Sequence, residues 1–156
     1  TADPGRGRVS FDELLVDRPG NGYTLVGSAP GLAPATSDPF IVVPGAPFRM
    51  VFLAQPTNSV TGVPFDPVVT MEVQDYFGNR ATGASGFIAL SVRGPGDTGP
   101  PAGTVLQGDV TMFVAEGIAA FPGLAVTTSA ERTLTLRAEM TGLANRLSQN
   151  FVVRMF

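Results

Sequence analysis

The sequence predicts an all-β protein, a two-sheet sandwich preceded by part of a second one. Three observations predict it. Short apolar runs alternate with polar residues at a period of two, the signature of half-buried strands. Gly (19) and Pro (14) punctuate those runs along the whole chain of 156 residues. No run of about eleven residues or more carries a 3.6-residue apolar period with capping signals, so almost no helix is expected.

In the stretch Pro47–Gln55, alternation puts Phe48, Met50 and Phe52 on one face. The clearest strand is Pro67–Asp75, with Val69, Met71 and Val73 facing one way and Thr70, Glu72 and Gln74 the other. Ile88, Leu90 and Val92 form the next inward stripe, followed by an apolar stretch around residues 109–115 and the run Ile118–Phe121. Thr133–Glu139 points Leu134, Leu136 and Ala138 inward, and Phe151 and Val153 close the set. Nearer the start, strands are expected at about 8–11, 13–17, 22–28 and 39–43. About seven short strands in about 110 residues is the size of an immunoglobulin-like sandwich.

An internal repeat organises the chain. Gly7, Phe11, Leu14 and Val16 match Gly117, Phe121, Leu124 and Val126. After a one-residue shift in a polar loop, Tyr23, Leu25, Gly31, Leu32, Ser37, Phe40 and Val42 match Leu134, Leu136, Gly142, Leu143, Ser148, Phe151 and Val153. The step of about 110 residues is again one sandwich module. Residues 1–43 therefore read as the last part of an incomplete repeat. Residues 44–47 read as a linker stiffened by Pro44 and Pro47, and residues 48–156 as a complete repeat. The duplication implies like surroundings for Phe11 and Phe121. It also poses a problem, because two or three strands cannot close a sandwich. The apolar side chains of Phe11, Leu14, Tyr23, Leu25 and Phe40 need cover. Missing upstream strands, a second polypeptide adding strands, or the complete module could supply it.

Composition excludes several functions. The chain has no Cys, His or Trp and no Lys, so every basic side chain is Arg. Thiolate nucleophiles, imidazole bases, Schiff-base lysines and the commonest transition-metal ligands are absent. Net charge is −3, with no basic patch for nucleic acid and no basic amphipathic stretch for a membrane surface. No apolar run reaches the ~20 residues a membrane helix needs. The chain starts at Thr1 rather than Met, as a processed product or a piece of a longer chain would.

The stretch from Leu53 to Thr82 resembles the immunoglobulin-like repeats, of invasin or filamin type, that occur in tandem in large bacterial surface and secreted proteins. Gln55-Pro56, Gly62, Phe65, Pro67, Val69, Val73, Asp75, Phe77, Gly78 and Asn79 carry the resemblance. Gly103–Val126 is similar to a later stretch of those repeats, and Gly22–Val43 to their ending. The resemblance implies a non-catalytic spacer or scaffold outside the cytoplasm: cell-surface, secreted or periplasmic. Its partners would be neighbouring repeats or a polypeptide completing the first segment. An accessory subunit of an envelope or membrane complex, or an adhesive or glycan-binding module, are the alternatives. The Pro/Gly-rich stretch from Arg93 to Ala102 departs from the pattern.

Candidate sites follow. Asp75 and Asn79, with Asp66 or Glu72, offer oxygens for Ca²⁺, but a Ca²⁺ shell wants six to eight. A turn in which Asp75 caps backbone N–H groups is the competing reading and is favoured, with no cofactor expected. Asp12, Glu13 and Asp17 could form an acid–base cluster, or be solvated turn residues. Arg6 and Arg8 read as a solvated edge. Gly20-Asn21-Gly22 and Gly94–Asp97 lack the strand–helix context of a phosphate loop. The contact surface, if there is one, is the loop with Arg93, Asp97 and Thr98, or the uncovered residues Phe11, Tyr23 and Phe40. A disordered hairpin tip is the plainer expectation for that loop.

Overall fold

The computed structural model describes residues 2–3 and 7–156. It is all-β, and the one helical turn among the described residues is the 3-10 segment Pro95–Asp97. The chain separates into two compact units, Thr1–Val43 and Pro44–Phe156.

The second unit is a layered sandwich. Its strands are β7 (Arg49–Ala54), β8 (Ser59–Val60), β9 (Val69–Gln74), β10 (Phe87–Arg93), β11 (Thr104–Gln107) and β12 (Thr111–Phe113). They continue with β13 (Ile118–Phe121), β14 (Ala125–Thr128), β15 (Arg132–Glu139), β16 (Arg146–Leu147) and β17 (Phe151–Arg154). One layer runs β13-β9-β7 and the other β12-β10-β15-β17-β8, with β16 on β15 and β11 paired to β14. Most neighbours are antiparallel, while β17 and β8 run parallel.

Alternation sets the core. Val69, Met71 and Val73 of β9 are fully buried, as are Ile88 of β10, Leu134, Leu136 and Ala138 of β15, and Val153 of β17. Each strand thus gives one apolar stripe to a shared interior. Phe65 and Phe151 meet edge-to-face across it, with centroids 5.2 Å apart. Two of the resembling motif positions have direct structural jobs: Gln55 Oε1 accepts from Gln149 N–H (2.9 Å), and Phe65 N–H donates to the Leu124 carbonyl (2.9 Å). Phe48 departs from expectation. It is exposed because it precedes β7, and its ring turns to Tyr76 (5.0 Å) rather than following Met50 and Phe52 inward.

The first unit contains β1 (Ala2–Asp3), β2 (Arg8–Val9), β3 (Gly20–Tyr23), β4 (Val26–Gly27), β5 (Ala35–Thr36) and β6 (Phe40–Val42). Its hairpins have counterparts in the second unit, apart from a register shift between Gly20 and Tyr23 that the β15–β17 pair lacks. Tyr23 pairs with Phe40 as Leu134 pairs with Phe151. Val26 pairs with Thr36, and Gly27 with Ala35, as Arg137 pairs with Leu147 and Ala138 with Arg146. Ser37 N–H donates to the Leu25 carbonyl and Ser148 N–H to the Leu136 carbonyl, both at 2.8 Å. The two serine hydroxyls accept from the Leu25 and Leu136 amides in the same way. Gly31 and Gly142 both turn the chain at positive φ (77° and 84°), a region a Cβ disfavours.

The likeness stops at the strands' other neighbours. Residues 13–17, expected as a strand, are irregular. Their counterpart β14 is a strand because β11 pairs with it, and residues 7–43 contain no equivalent of β11. Phe11 and Phe121 do not have the like surroundings expected of them: Phe11 is 71% exposed and Phe121 1%. Phe121 sits in β13 beside β9 and β7 and shares one core with Ile88, Leu90 and Val92 of β10 in the opposing layer. The described residues of the first unit contain no counterparts of β7, β9 or β10.

Burial predicts a contrast in stability. Phe121→Ala should cost about 3–5 kcal/mol, the usual range for emptying a buried aromatic site. Phe11→Ala should change stability by less than about 0.5 kcal/mol. Urea unfolding of the two variants followed by tyrosine fluorescence and far-ultraviolet dichroism checks both values.

Candidate functional site

The most organised polar cluster lies where β9 leaves its sheet. Asp75 is 2% exposed and its carboxylate accepts four hydrogen bonds. Oδ1 takes the amides of Phe77 (3.0 Å) and Asn79 (2.9 Å). Oδ2 takes the Gly45 amide (2.9 Å) and Asn79 Nδ2 (3.0 Å). The turn depends on Gly78 at φ 87°, where an added Cβ would also meet the Arg49 guanidinium at 2.9 Å. Burial pushes the Asp75 carboxyl up. The bonds from Gly45, Asn79 and Phe77 outweigh that and hold it below the ordinary value.

Glu72, one residue of β9 removed from the core face, is also buried. Its Oε1 accepts from Gln74 Nε2 (2.8 Å) and its Oε2 pairs with Arg80 Nε (2.9 Å). Burial raises its pKa, but Gln74 and Arg80 lower it further, so it too sits below the usual glutamate value. Gln74 Oε1 in turn accepts from Arg49 Nε (3.0 Å). Asp75 and Glu72 thus spend their oxygens on protein donors. Among the described residues no three His, Cys, Asp or Glu side chains group as a metal site would require. Asp66 contributes its carbonyl to Thr57 Oγ1 (3.0 Å). The geometry is that of a turn anchor that ties Gly45 to the end of β9.

The loop from Arg93 is not a disordered tip. Gly94 N–H donates to the Thr98 carbonyl (3.1 Å), and Thr98 Oγ1 to the Pro95 carbonyl (3.3 Å). Asp97, at φ 63°, lies between two guanidinium groups, Arg137 at 3.1 Å and Arg93 at 3.8 Å. Arg137 also pairs with Glu139 at 2.7 Å. The loop is ordered because its single acid meets two arginines projecting from β10 and β15. Arg93, Asp97 and Thr98 are therefore brought together, but as an internal clasp.

Phe11 is exposed, whereas Tyr23 and Phe40 are half-buried and their rings stack at 6.1 Å. Asp12, Glu13 and Asp17 are exposed, the first two in a turn. Arg6 lies outside the described residues, and Arg8 is exposed in β2. Sequence reasoning missed two exposed aromatic groups. Tyr76 stands edge-on to both Phe48 (5.0 Å) and Phe77 (5.4 Å). Phe87 and Phe113 face each other across β10 and β12 at 5.4 Å. The second is legible in hindsight, since Phe87 and Phe113 fall on the polar-facing phase of their strands.

No protein-family model matches the sequence, and no curated protein matches it. Solved structures that share the fold include a glycosyl hydrolase family 2 member from Bacteroides cellulosilyticus, with TM-score 0.51 and 14% identity over 83% of this chain and 17% of that one. A beta-glucuronidase from glycoside hydrolase family 2 aligns with TM-score 0.50 and 16% identity, over 80% of this chain and 13% of its own. The chain spans less than a fifth of either protein. The likeness defines the class, an all-β sandwich domain. Among the described residues no helix is long and apolar enough to cross a membrane.

Two predictions follow from the polar clusters. Both Asp75 and Glu72 are held below their unfolded-state pKa values. Their contribution to stability should be complete above about pH 4.3, the higher of the two unfolded values, and be lost as pH falls through the folded ones. In Asp75→Asn the new Nδ2 faces donors, so Tm at pH 7 should drop and the acid-limb slope should flatten; scanning calorimetry from pH 7 to pH 2 reads both. Asp97→Asn keeps a side chain that tolerates positive φ but removes the charge between Arg93 and Arg137. It should cost about 0.5–1 kcal/mol at low salt and less at 1 M NaCl, measured by urea unfolding.

Proposed function

We propose that the chain is a non-catalytic structural module built from immunoglobulin-like repeats, working outside the cytoplasm as a spacer or scaffold. The observation that carries this reading is the hairpin that occurs twice in one register, Val26 with Thr36 and Arg137 with Leu147. Repeating one sandwich unit along a chain is how length and rigidity are made without chemistry. The polar side chains support it as well. Asp75 and Glu72 are satisfied by protein donors, and Asp97 is ion-paired with Arg137 and Arg93, so none of these three acids stands free for acid–base work. The absence of His, Cys and Lys agrees with a module that performs no catalysis.

An accessory-subunit role is the second reading. Phe11, Leu14, Leu15 and Leu32 are all exposed on the first unit, which favours a polypeptide partner. Glycan adhesion is the third.

The purified chain should turn over no glycoside substrate above the buffer rate and show no saturable binding on a glycan array. Turnover by the purified chain would replace the structural reading with an enzymatic one. Glycan binding lost on deleting residues 93–102 would replace it with adhesion.

A further inference from the structure

We propose that residues 24–28 form an acceptor edge for one antiparallel β-strand with the alternating pattern of Phe87–Arg93, supplied by an immunoglobulin-like repeat outside residues 1–156. The proposal deepens the repeat reading and does not depend on the spacer role.

The second unit shows what a complete version of this edge looks like. There β15 is paired on both sides. β16 and β17 lie along one edge, and β10 along the other, with Ser91 opposite Arg137, Val92 opposite Leu136 and Arg93 opposite Thr135. The counterpart of β15 in the first unit is β3 with β4. These strands pair with β6 and β5 alone among the described residues.

The backbone direction at the open edge follows from the closed one. Leu25 spends its N–H on Ser37 Oγ (2.9 Å) and its carbonyl on Ser37 N–H (2.8 Å). Successive residues in a strand aim their backbone groups to opposite sides, so the N–H and C=O groups of Thr24 and Val26 face the unpaired edge. Residues 24–28, Thr-Leu-Val-Gly-Ser, contain no charge and no Pro. Those are the devices that normally keep a free edge from recruiting a strand.

An apolar cleft lies beside this edge. It has a volume of about 210 Å³ and is lined by Phe11, Leu14, Leu25, Val26 and Gly27. The counterparts of Phe11, Leu14 and Leu25 are Phe121, Leu124 and Leu136, all buried in one core with Ile88, Leu90 and Val92. The protein therefore displays the occupant of the equivalent space. It is the inward stripe of the strand that holds the β10 place. An incoming strand would gain ladder hydrogen bonds from Thr24 and Val26 and bury its apolar stripe in the cleft.

The test uses the whole chain and a synthetic peptide of its own residues 86–94. Titration should give saturable binding, with hydrogen-exchange protection appearing at Val26 and its neighbours. In the β10 ladder, Leu90 N–H faces away from β15, donating to the Val110 carbonyl at 2.7 Å, so the Ser91 N–H faces β15. A peptide N-methylated at Ser91 should lose binding, while one N-methylated at Leu90 should keep it. Leu25→Asp alters a side chain that is exposed in the unbound chain, so folding is retained, and it should weaken peptide affinity about tenfold or more. Absence of saturable binding, equal loss with both N-methyl peptides, or protection confined to other strands would overturn the proposal. So would a chain that self-associates through residues 24–28, since the occupant would then be a second copy. None of these outcomes bears on the glycan and turnover assays, so the acceptor edge and the structural role fail separately.

Discussion

A strand has two faces and two edges, and a stable sheet needs something on one face and on most edges. That constraint governs this protein. In the second unit it is met everywhere that matters. β15 has neighbours on both edges, its Leu134, Leu136 and Ala138 stripe faces the opposing layer, and its one buried hydroxyl, Thr135 Oγ1, bonds to the Ser148 carbonyl at 3.1 Å. In the first unit the hairpin keeps that register from Tyr23–Phe40 to Gly27–Ala35, but among the described residues the neighbours are absent. The contrast between Phe121 and Phe11 is the direct consequence.

The two serines show why register persists even where burial does not. Ser37 and Ser148 each bridge the Leu25 or Leu136 amide and then donate to the next carbonyl, that of Asp38 or Gln149. These bonds are local to the hairpin, so they form whether or not a second layer is present. The glycine turns at Gly31 and Gly142 are local in the same sense. Local chemistry fixes the hairpin, and an opposing layer affects only what lies against its face.

Much of this was legible in the sequence. The inward stripes of β9, β10, β15 and β17 follow directly from alternation, and the equivalent pairs Tyr23–Leu134 and Phe40–Phe151 were readable from spacing alone. The 13–17 strand was not, because a strand exists only through its partner, and β11 has no counterpart in residues 7–43. Phe48 was misread because it lies one residue outside its strand, where alternation no longer sets direction. The Asp75 turn could be anticipated from Asp-Tyr-Phe-Gly-Asn, but the bond from Gly45 could not, since that residue is distant in sequence. The Arg93–Asp97–Arg137 clasp was hidden for the same reason: Arg137 comes from another strand.

The claim that two copies of one hairpin share a register is open to direct measurement. Val26 with Thr36 and Arg137 with Leu147 lie opposite each other as pairs without mutual hydrogen bonds, the arrangement that brings α-carbons to about 4.5 Å. Nuclear Overhauser spectra of the whole chain should therefore contain Hα–Hα cross-peaks for both pairs. Cross-peaks from Val26 to a residue other than Thr36, beside an intact Arg137–Leu147 contact, would mean that the first hairpin is not a copy of the second.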